Sequence, residues 1–350
     1  MSPVDALTAL LNAPRAHGAF LLRVTMTAPW AVRVEDEAPL SVVAVTAGTA
    51  CYAPDGAPPV RLAAGDLLLV ARPDPYLFAD GGADPATRTP QAVIHPGGRC
   101  ATPGGGHLEL PAHQGVRTWG NAAEGRDVLL VGTYPRVSEV GARLLRALPP
   151  ALVVRAAEHR TRLIDVLADE IRGEGIGQAS LLDRLLDGLT VSAIRHWAAS
   201  PASPAAPASP GPPGWLRAAG TDPVVGAALD LVHEEPAQPW TVASLARRVG
   251  MSRAGFARRF TAAVGEPPMT YLTSWRLAVA ADRLREDDAP VFRVAAEVGY
   301  ASPFTFSTAF KRHHGVSPLA YRRQGAAARD GAADAPGGAP DVAEEGPVTS

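Results

Sequence analysis

Along the first part of the chain, apolar positions come in short, nearly continuous runs: FLLRVTM (Phe20 to Met26), SVVAVTA (Ser41 to Ala47), GDLLLVAR (Gly65 to Arg72) and DVLLVGTY (Asp127 to Tyr134). Gly, Pro and Asp clusters separate them. Strand-length runs with frequent turn signals predict a small antiparallel barrel or sandwich. After Pro149 and Pro150 the period changes. Leu163, Val166, Leu167 and Ile171 recur at spacings of three and four, as do Leu182, Leu185, Leu186 and Leu189, followed by Ile194. This predicts two amphipathic helices, which suit a lid on the barrel, a dimer seam or plain packing on their own barrel.

Two stretches lack the apolar positions a core needs. AASPASPAAPASPGPPG (Ala198 to Gly214) carries too much proline for a helix or a central strand and reads as a semi-rigid linker. From Gly325 to Ser350 five acids stand against Arg329 alone, as in a disordered acidic tail. The expected organisation is therefore a folded region over residues 1–197, a Pro/Ala-rich linker over 198–214, a second folded region over 215–324 and a tail over 325–350. The fold class is multi-domain α+β: an N-terminal β-barrel with appended helices, then an all-α module.

The second region contains an internal duplication. Leu245-Ala246-Arg247-Arg248-Val249-Gly250 and Val294-Ala295-Ala296-Glu297-Val298-Gly299 share their apolar and glycine positions at a spacing of 49. At a spacing of 50, Phe256 matches Phe306, Phe260 matches Phe310, Gly265 matches Gly315, Pro268 matches Pro318 and Tyr271 matches Tyr321. Each copy reads as helix, tight turn, helix. Thr241 caps the first helix, Gly250 and Gly299 supply left-handed turn residues, Ser252 and Ser302 cap the second helices, and Pro303 sits at a first helical position. This is the helix-turn-helix, whose second helix enters the DNA major groove. The apolar stretch from Met269 to Leu284 predicts a longer helix between the copies. Two recognition helices so joined suit successive major-groove segments, ~34 Å apart.

Charge first argues against this and then for it. The whole chain has 33 Lys+Arg, 35 Asp+Glu and a net charge of −2, which does not suggest a nucleic-acid binder. By region, residues 223–324 carry +4, the tail −4 and residues 1–222 −2, so the total hides a basic module. Lys311 is the sole lysine, which with the Ala, Gly and Pro load suggests a GC-rich coding genome, an inference from composition that says nothing about function. No stretch approaches the ~20 apolar residues of a membrane span, the N-terminus has no signal-peptide pattern, and two cysteines make no disulfide framework. A cytoplasmic protein without membrane contact is expected.

TVASLARRVGMSRAGFARRFTAAVGEPPMTYLTSWRL followed by VAAEVGYASPFTFSTAFKRHHGVSPLAYRR resembles the DNA-binding domain of the AraC/XylS family of bacterial transcription regulators over about 100 residues. Its GY-x-S-x-x-x-F-x-x-x-F-K-R and G-x-S-P-x-x-Y-R blocks are that family's most diagnostic stretch. The first region resembles the cupin-type sensor domain of one branch of the family through APW at Trp30, the turn at Gly65-Asp66, RTWGN and LLVGTY. The resemblance implies a sequence-specific regulator, an activator among the family's roles. Double-stranded DNA, a small-molecule effector, a second copy of the chain in a homodimer and RNA polymerase are the implied partners. No cofactor is expected.

On the first recognition helix, with Phe256 and Phe260 inward, the outer face carries Arg253, Ala254, Ala257 and Arg258. Arginine matches the O6 and N7 acceptors of guanine with two parallel N–H groups. The resemblance places a base-reading arginine at Arg258, with a phosphate contact or a solvated side chain as the alternative. Arg253 suits base or phosphate equally. On the second helix the bases would meet Phe304, Thr305 and Thr308, where many relatives have longer polar or basic groups; Phe304 suits a thymine methyl or simple packing. Ser252, Ser307, Lys311 and Arg312 are the phosphate candidates, setting register and salt sensitivity without reading sequence. Arg276 suits phosphate or an ion pair within the module, and Trp215, Trp240 and Trp275 suit core or interface.

Two alternatives concern the first region. A metal-dependent cupin enzyme needs converging histidines and a carboxylate, yet Val43 and Tyr76 stand where relatives often carry histidine. His107, Glu109 and His113 make a weak local group, with surface or core polar roles as the alternative. A thiol-based redox sensor would use Cys51 and Cys100, if their Cα atoms came within ~7 Å; two ordinary reduced cysteines are the alternative. A small-molecule pocket in the barrel is the leading expectation.

Overall fold

The continuous apolar runs are strands buried on both faces. In the computed structural model, which describes residues 20–82, 84–106, 117–199, 212, 214–286 and 289–333, the first region is built from two six-stranded sheets. One sheet contains β1 (Phe20–Met26), β3 (Leu40–Ala47), β6 (Leu67–Val70), β10 (Thr118–Gly120), β11 (Asp127–Tyr134) and β12 (Ala151–Val154), in the order β10-β1-β11-β3-β6-β12. The other contains β2 (Ala31–Val34), β4 (Thr49–Pro54), β5 (Val60–Ala63), β7 (Tyr76–Asp80), β8 (Ala92–His95) and β9 (Arg99–Ala101), in the order β5-β4-β7-β2-β8-β9.

Successive side chains of a strand point to opposite faces, and the first sheet buries each set against a different partner. Leu22, Val24, Val43, Val45, Leu68, Val70, Leu129 and Val131 pack towards the second sheet. Leu21, Val42, Ala44, Leu67, Leu69 and Leu130 pack towards α1 (Glu139–Ala147), α2 (Leu163–Glu170) and α3 (Gln178–Ala199). The two amphipathic helices thus cover the barrel's outer face with Ile164, Leu167, Leu182, Leu186, Leu189 and Ile194. Gly132 permits this approach, since a Cβ there would lie 2.5 Å from a methyl carbon of Leu186. Two residues on, Tyr134 is fully buried and its hydroxyl meets Asp187 Oδ1 at 3.1 Å and Thr190 Oγ1 at 3.0 Å.

The expected turn at Gly65-Asp66 is held by charge. Gly65 takes φ +89°. Asp66, nearly buried, accepts from the amides of Ala63 (3.1 Å) and Ala156 (3.0 Å) and from Arg155 (2.7 Å). Burial pushes its carboxyl pKa up, but these donors outweigh that and hold it below the usual range.

The helical region contains α4 (Gly214–Thr221), α5 (Pro223–Glu234), α6 (Val242–Arg248), α7 (Arg253–Val264), α8 (Pro268–Glu286), α9 (Val291–Glu297), α10 (Pro303–His314) and α11 (Pro318–Ala333). The chain divides into two compact units inside α8, between Val279 and Ala280. Composition placed its break at the proline linker instead. The difference has a physical cause: Leu216 of α4 packs into the core under α3, and Val140 of α1 packs into the core of the first helix-turn-helix, so those parts form one body. At the other end, the helix begun at Pro318 does not stop at Gln324 but runs to Ala333. The stretch GAAARDGAA is alanine-rich and helix-favouring, where the sequence reading weighted its acids. Residues 200–211 and 213 of the linker and 334–350 of the tail lie outside the described residues.

Candidate DNA interface and sensor cavity

The two helix-turn-helix copies share their turn and core geometry and differ in how their helices are capped. In the first, Thr241 and Ser244 form a reciprocal capping box, Oγ1 of Thr241 accepting from the Ser244 amide at 3.0 Å and Oγ of Ser244 from the Thr241 amide at 2.8 Å. Gly250 and Gly299 both turn left-handed, at φ +70° and +82°. The Met251 amide bonds the Ala246 carbonyl at 2.8 Å, and the Tyr300 amide bonds the Ala295 carbonyl at 2.9 Å. Phe256 and Phe260 stand 5.6 Å apart, Phe306 and Phe310 5.5 Å, all four fully buried. Gly265 and Gly315 end α7 and α10 in the left-handed conformation. Ser252 caps α7 through the Gly255 amide at 3.2 Å, whereas Ser302 makes no side-chain cap and Pro303 carries the start of α10.

This scaffold exposes Arg253 and Arg258 on α7, neither in an ion pair among the described residues. Arg259 beside them is engaged, its Nε 2.9 Å from Asp222 Oδ2. On α10, Phe304 is 81% exposed, Thr305, Thr308, Lys311 and Arg312 are exposed, and Ser307 is half-buried. Ser252 is exposed, but its hydroxyl is spent on the cap. Arg276 donates to the backbone carbonyls of Pro236 and Gln238, both at 2.6 Å, and so fixes the loop before α6. Trp275 is buried in the first module's core, with Trp215 and Trp240 packed at its edge.

Between the two sheets lies a cavity of about 510 Å³. Val43 and Tyr76, the residues standing where histidine was expected from the resemblance, both line it. Among the described residues no three His, Cys, Asp or Glu side chains converge to hold a metal ion. His107, Glu109 and His113 lie outside the described residues. Cys100 lines the cavity and Cys51 does not. They sit on β9 and β4, four strand intervals apart, about 19 Å along the sheet at ~4.8 Å each. That separation is well beyond the ~7 Å of a disulfide, and burial pushes both thiol pKa values up.

One structural connection was invisible in the sequence. β11 lines the cavity with Leu129, Val131 and Thr133, and Pro135 follows. Ser138 then caps α1 by accepting from the Gly141 amide at 2.9 Å. From α1, the guanidinium of Arg143 reaches the first DNA-binding module. It donates to Ser274 Oγ at 2.8 Å and Glu266 Oε1 at 3.0 Å, and it covers the Tyr271 ring. Tyr271 is fully buried, and its hydroxyl lies 2.7 Å from His233 Nε2. A basic residue on a short helix, Arg143 gives no sequence signal for a partner 131 residues away.

Comparison with known proteins agrees with both halves of this architecture. A cupin family model matches residues 5–199 and a helix-turn-helix domain model matches residues 245–324. An AraC-like transcription regulator of Streptomyces lividans is 32% identical over 332 residues, covering 92% of this chain and 98% of that protein. One of Streptomyces antibioticus is 33% identical over 333 residues, covering 92% and 99%. Among solved structures, the DNA-binding domain of AdpA, a global transcriptional factor, in complex with target DNA is 34% identical, covers 31% of this chain and 98% of that one, and gives a TM-score of 0.30. No helix among the described residues is long and apolar enough to cross a membrane. With a cupin-type domain ahead of a duplicated helix-turn-helix, and relatives matched over nearly their full length, the chain belongs to the AraC family of DNA-binding transcription regulators.

Proposed function

We propose that the protein is a ligand-responsive regulator whose effector occupies the cavity between the sheets and whose response reaches DNA through Arg143. The observation that carries this reading is the unbroken path from β11, which lines the cavity, through α1 to the Arg143 contacts with Glu266, Tyr271 and Ser274. A ligand changes a conformational equilibrium only by as much as it favours one state over the other, and β11 is the element on which cavity contents and the first helix-turn-helix both act.

On the DNA side, Arg258 reads a base and Arg253 a base or phosphate, with Phe304, Thr305 and Thr308 facing bases in a successive major-groove segment. Lys311 and Arg312 hold phosphates, aided by Ser307, and Ser252 presents its helix end. Free guanidinium groups at Arg253 and Arg258 support this. The protein acts in the cytoplasm as a homodimer that can contact RNA polymerase; exposed Val166, Ile176 and Leu181 at the α2–α3 hairpin supply apolar surface for a second copy. It works as a regulator rather than a catalyst.

The test is footprinting on the DNA around its own gene, with and without candidate small molecules, on the wild type and Arg143→Ala. The reading expects a protected site, a ligand-dependent change in the wild type and loss of that change in the variant. No protected site at low salt would overturn the DNA assignment, and an unaltered ligand response in Arg143→Ala would overturn the path.

A further inference from the structure

The polar groups facing the cavity restrict what it can hold. Its walls are aliphatic and aromatic, with Trp30, Tyr76, Phe78 and Trp119 among them. Trp30 spends its indole N–H on Asp127 Oδ2 at 2.9 Å, and the Tyr76 hydroxyl bonds Ser41. The remaining polar lining is dominated by Asp36 and Glu37, on the connection after β2. Glu37 is exposed and Asp36 half-buried, which places this carboxylate pair where the cavity meets solvent.

No Lys, Arg or His among the described residues lines the cavity to balance them. Arg33, close in sequence, is on the other face of β2, where it pairs with Glu35 and Asp55. One Asp36 oxygen accepts from the Ala38 amide at 3.2 Å, and among the described residues no ion pair engages its carboxylate. Burial raises the Asp36 carboxyl pKa, as expected of a carboxylate drawn from water with no cation beside it. An anionic ligand would meet two carboxylates and no positive charge among the described lining residues, and a sugar would leave most of its hydroxyls against hydrocarbon. A positive charge would meet carboxylates and aromatic faces together.

Taking the cavity as the effector site proposed above, we infer that its ligand is a lipophilic organic cation. It would be a protonated aryl- or alkylamine with its apolar body between the sheets and its ammonium against Asp36 and Glu37. The volume, about 510 Å³, lies within the range of small-molecule sites.

The test uses the full chain and three probes that share one body and differ in head group: 4-phenylbutylamine, 4-phenylbutanol and 4-phenylbutyrate, followed by calorimetry and tryptophan fluorescence. The amine is expected to bind about tenfold or more tighter than the alcohol, as a charged hydrogen bond in a partly dry site gives, with the acid weakest. The double variant Asp36→Asn, Glu37→Gln should bring the amine to the level of the alcohol and leave alcohol binding unchanged. Val131→Trp, which fills the cavity, should abolish binding of both. Preference for the alcohol or acid, or unchanged amine binding in the double variant, overturns the ligand class while leaving the cavity as the effector site. Amine binding that survives Val131→Trp, or no binding of any probe at millimolar concentration, overturns the cavity reading and the class with it.

Discussion

The guanidinium carbon of Arg143 lies 4.4 Å from the centroid of the Tyr271 ring, and in the second copy the carbon of Arg285 lies 4.7 Å from that of Tyr321. The duplicated tyrosines are therefore covered alike, but by arginines of different origin. The second copy uses its own helix α8; the first uses α1 of the cupin-type domain.

Arg143→Ala should lower stability by about 1–3 kcal/mol, combining a partly desolvated cation–π contact with a half-buried ion pair. Urea unfolding of the variant measures this. Arg143→Lys keeps the charge but loses the planar fork that serves Ser274 and Glu266 together, so it should recover only part of the loss. A double-mutant cycle with Glu266→Gln should show a coupling energy, and strict additivity would mean that the pair does not interact in solution.

Arg258→Ala should weaken specific operator binding by about 1–3 kcal/mol and leave the fold intact, because the side chain is exposed and in no ion pair among the described residues. Lys311→Ala should instead weaken binding evenly across sequences and reduce the salt slope by about one. Mobility shifts on operator and scrambled DNA at several salt concentrations distinguish the two. An Arg258→Ala variant with unchanged specificity would remove that residue from base readout.

Gly250→Ala should cost about 1–2 kcal/mol from backbone conformation alone, since φ is +70° and no atom lies within 4 Å of the added Cβ. Thermal unfolding gives the value. A much larger loss would show that the turn has a packing constraint beyond its dihedral.

Asp66 sets an acid limit. Its folded pKa lies below the ~3.9 of an unfolded aspartate, so its stabilisation is fully present above that value and is lost as pH falls through the folded pKa. Asp66→Asn should destabilise the protein by about 2–3 kcal/mol near neutral pH, since Asp66 is nearly buried and Arg155 half in water. The gap between variant and wild type should shrink as pH falls below about 4. A gap constant from pH 6 to 3 would contradict this.

The duplication was legible because one 49- to 50-residue offset aligned glycines, phenylalanines and tyrosines whose backbone or core roles recur. The first sheet was legible because burial on both faces demands unbroken apolar runs. Much of the second sheet was not: β5, β8 and β9 are three or four residues long and mix charged or small residues with apolar ones. Helix α1, nine residues after a proline, was missed for its brevity. Arg253 and Arg258 could be placed from the phase of Phe256 and Phe260, but nothing local marks Arg143, Asp36 or Glu37, whose meaning depends on distant chain.

The alternation of β11 also limits the kind of motion that can leave the cavity. Leu129, Val131 and Thr133 face it, while Leu130, Gly132 and Tyr134 face the helices. Sliding the strand by one residue would exchange these sets, driving Val131 or Thr133 towards the place that Leu186 leaves only for a glycine hydrogen. Translation along the strand is thereby blocked. On the proposed reading, what remains for β11 to pass on is a tilt or twist about its own axis, which the short span from Pro135 to Ser138 would turn into a swing of the arm that ends at Arg143.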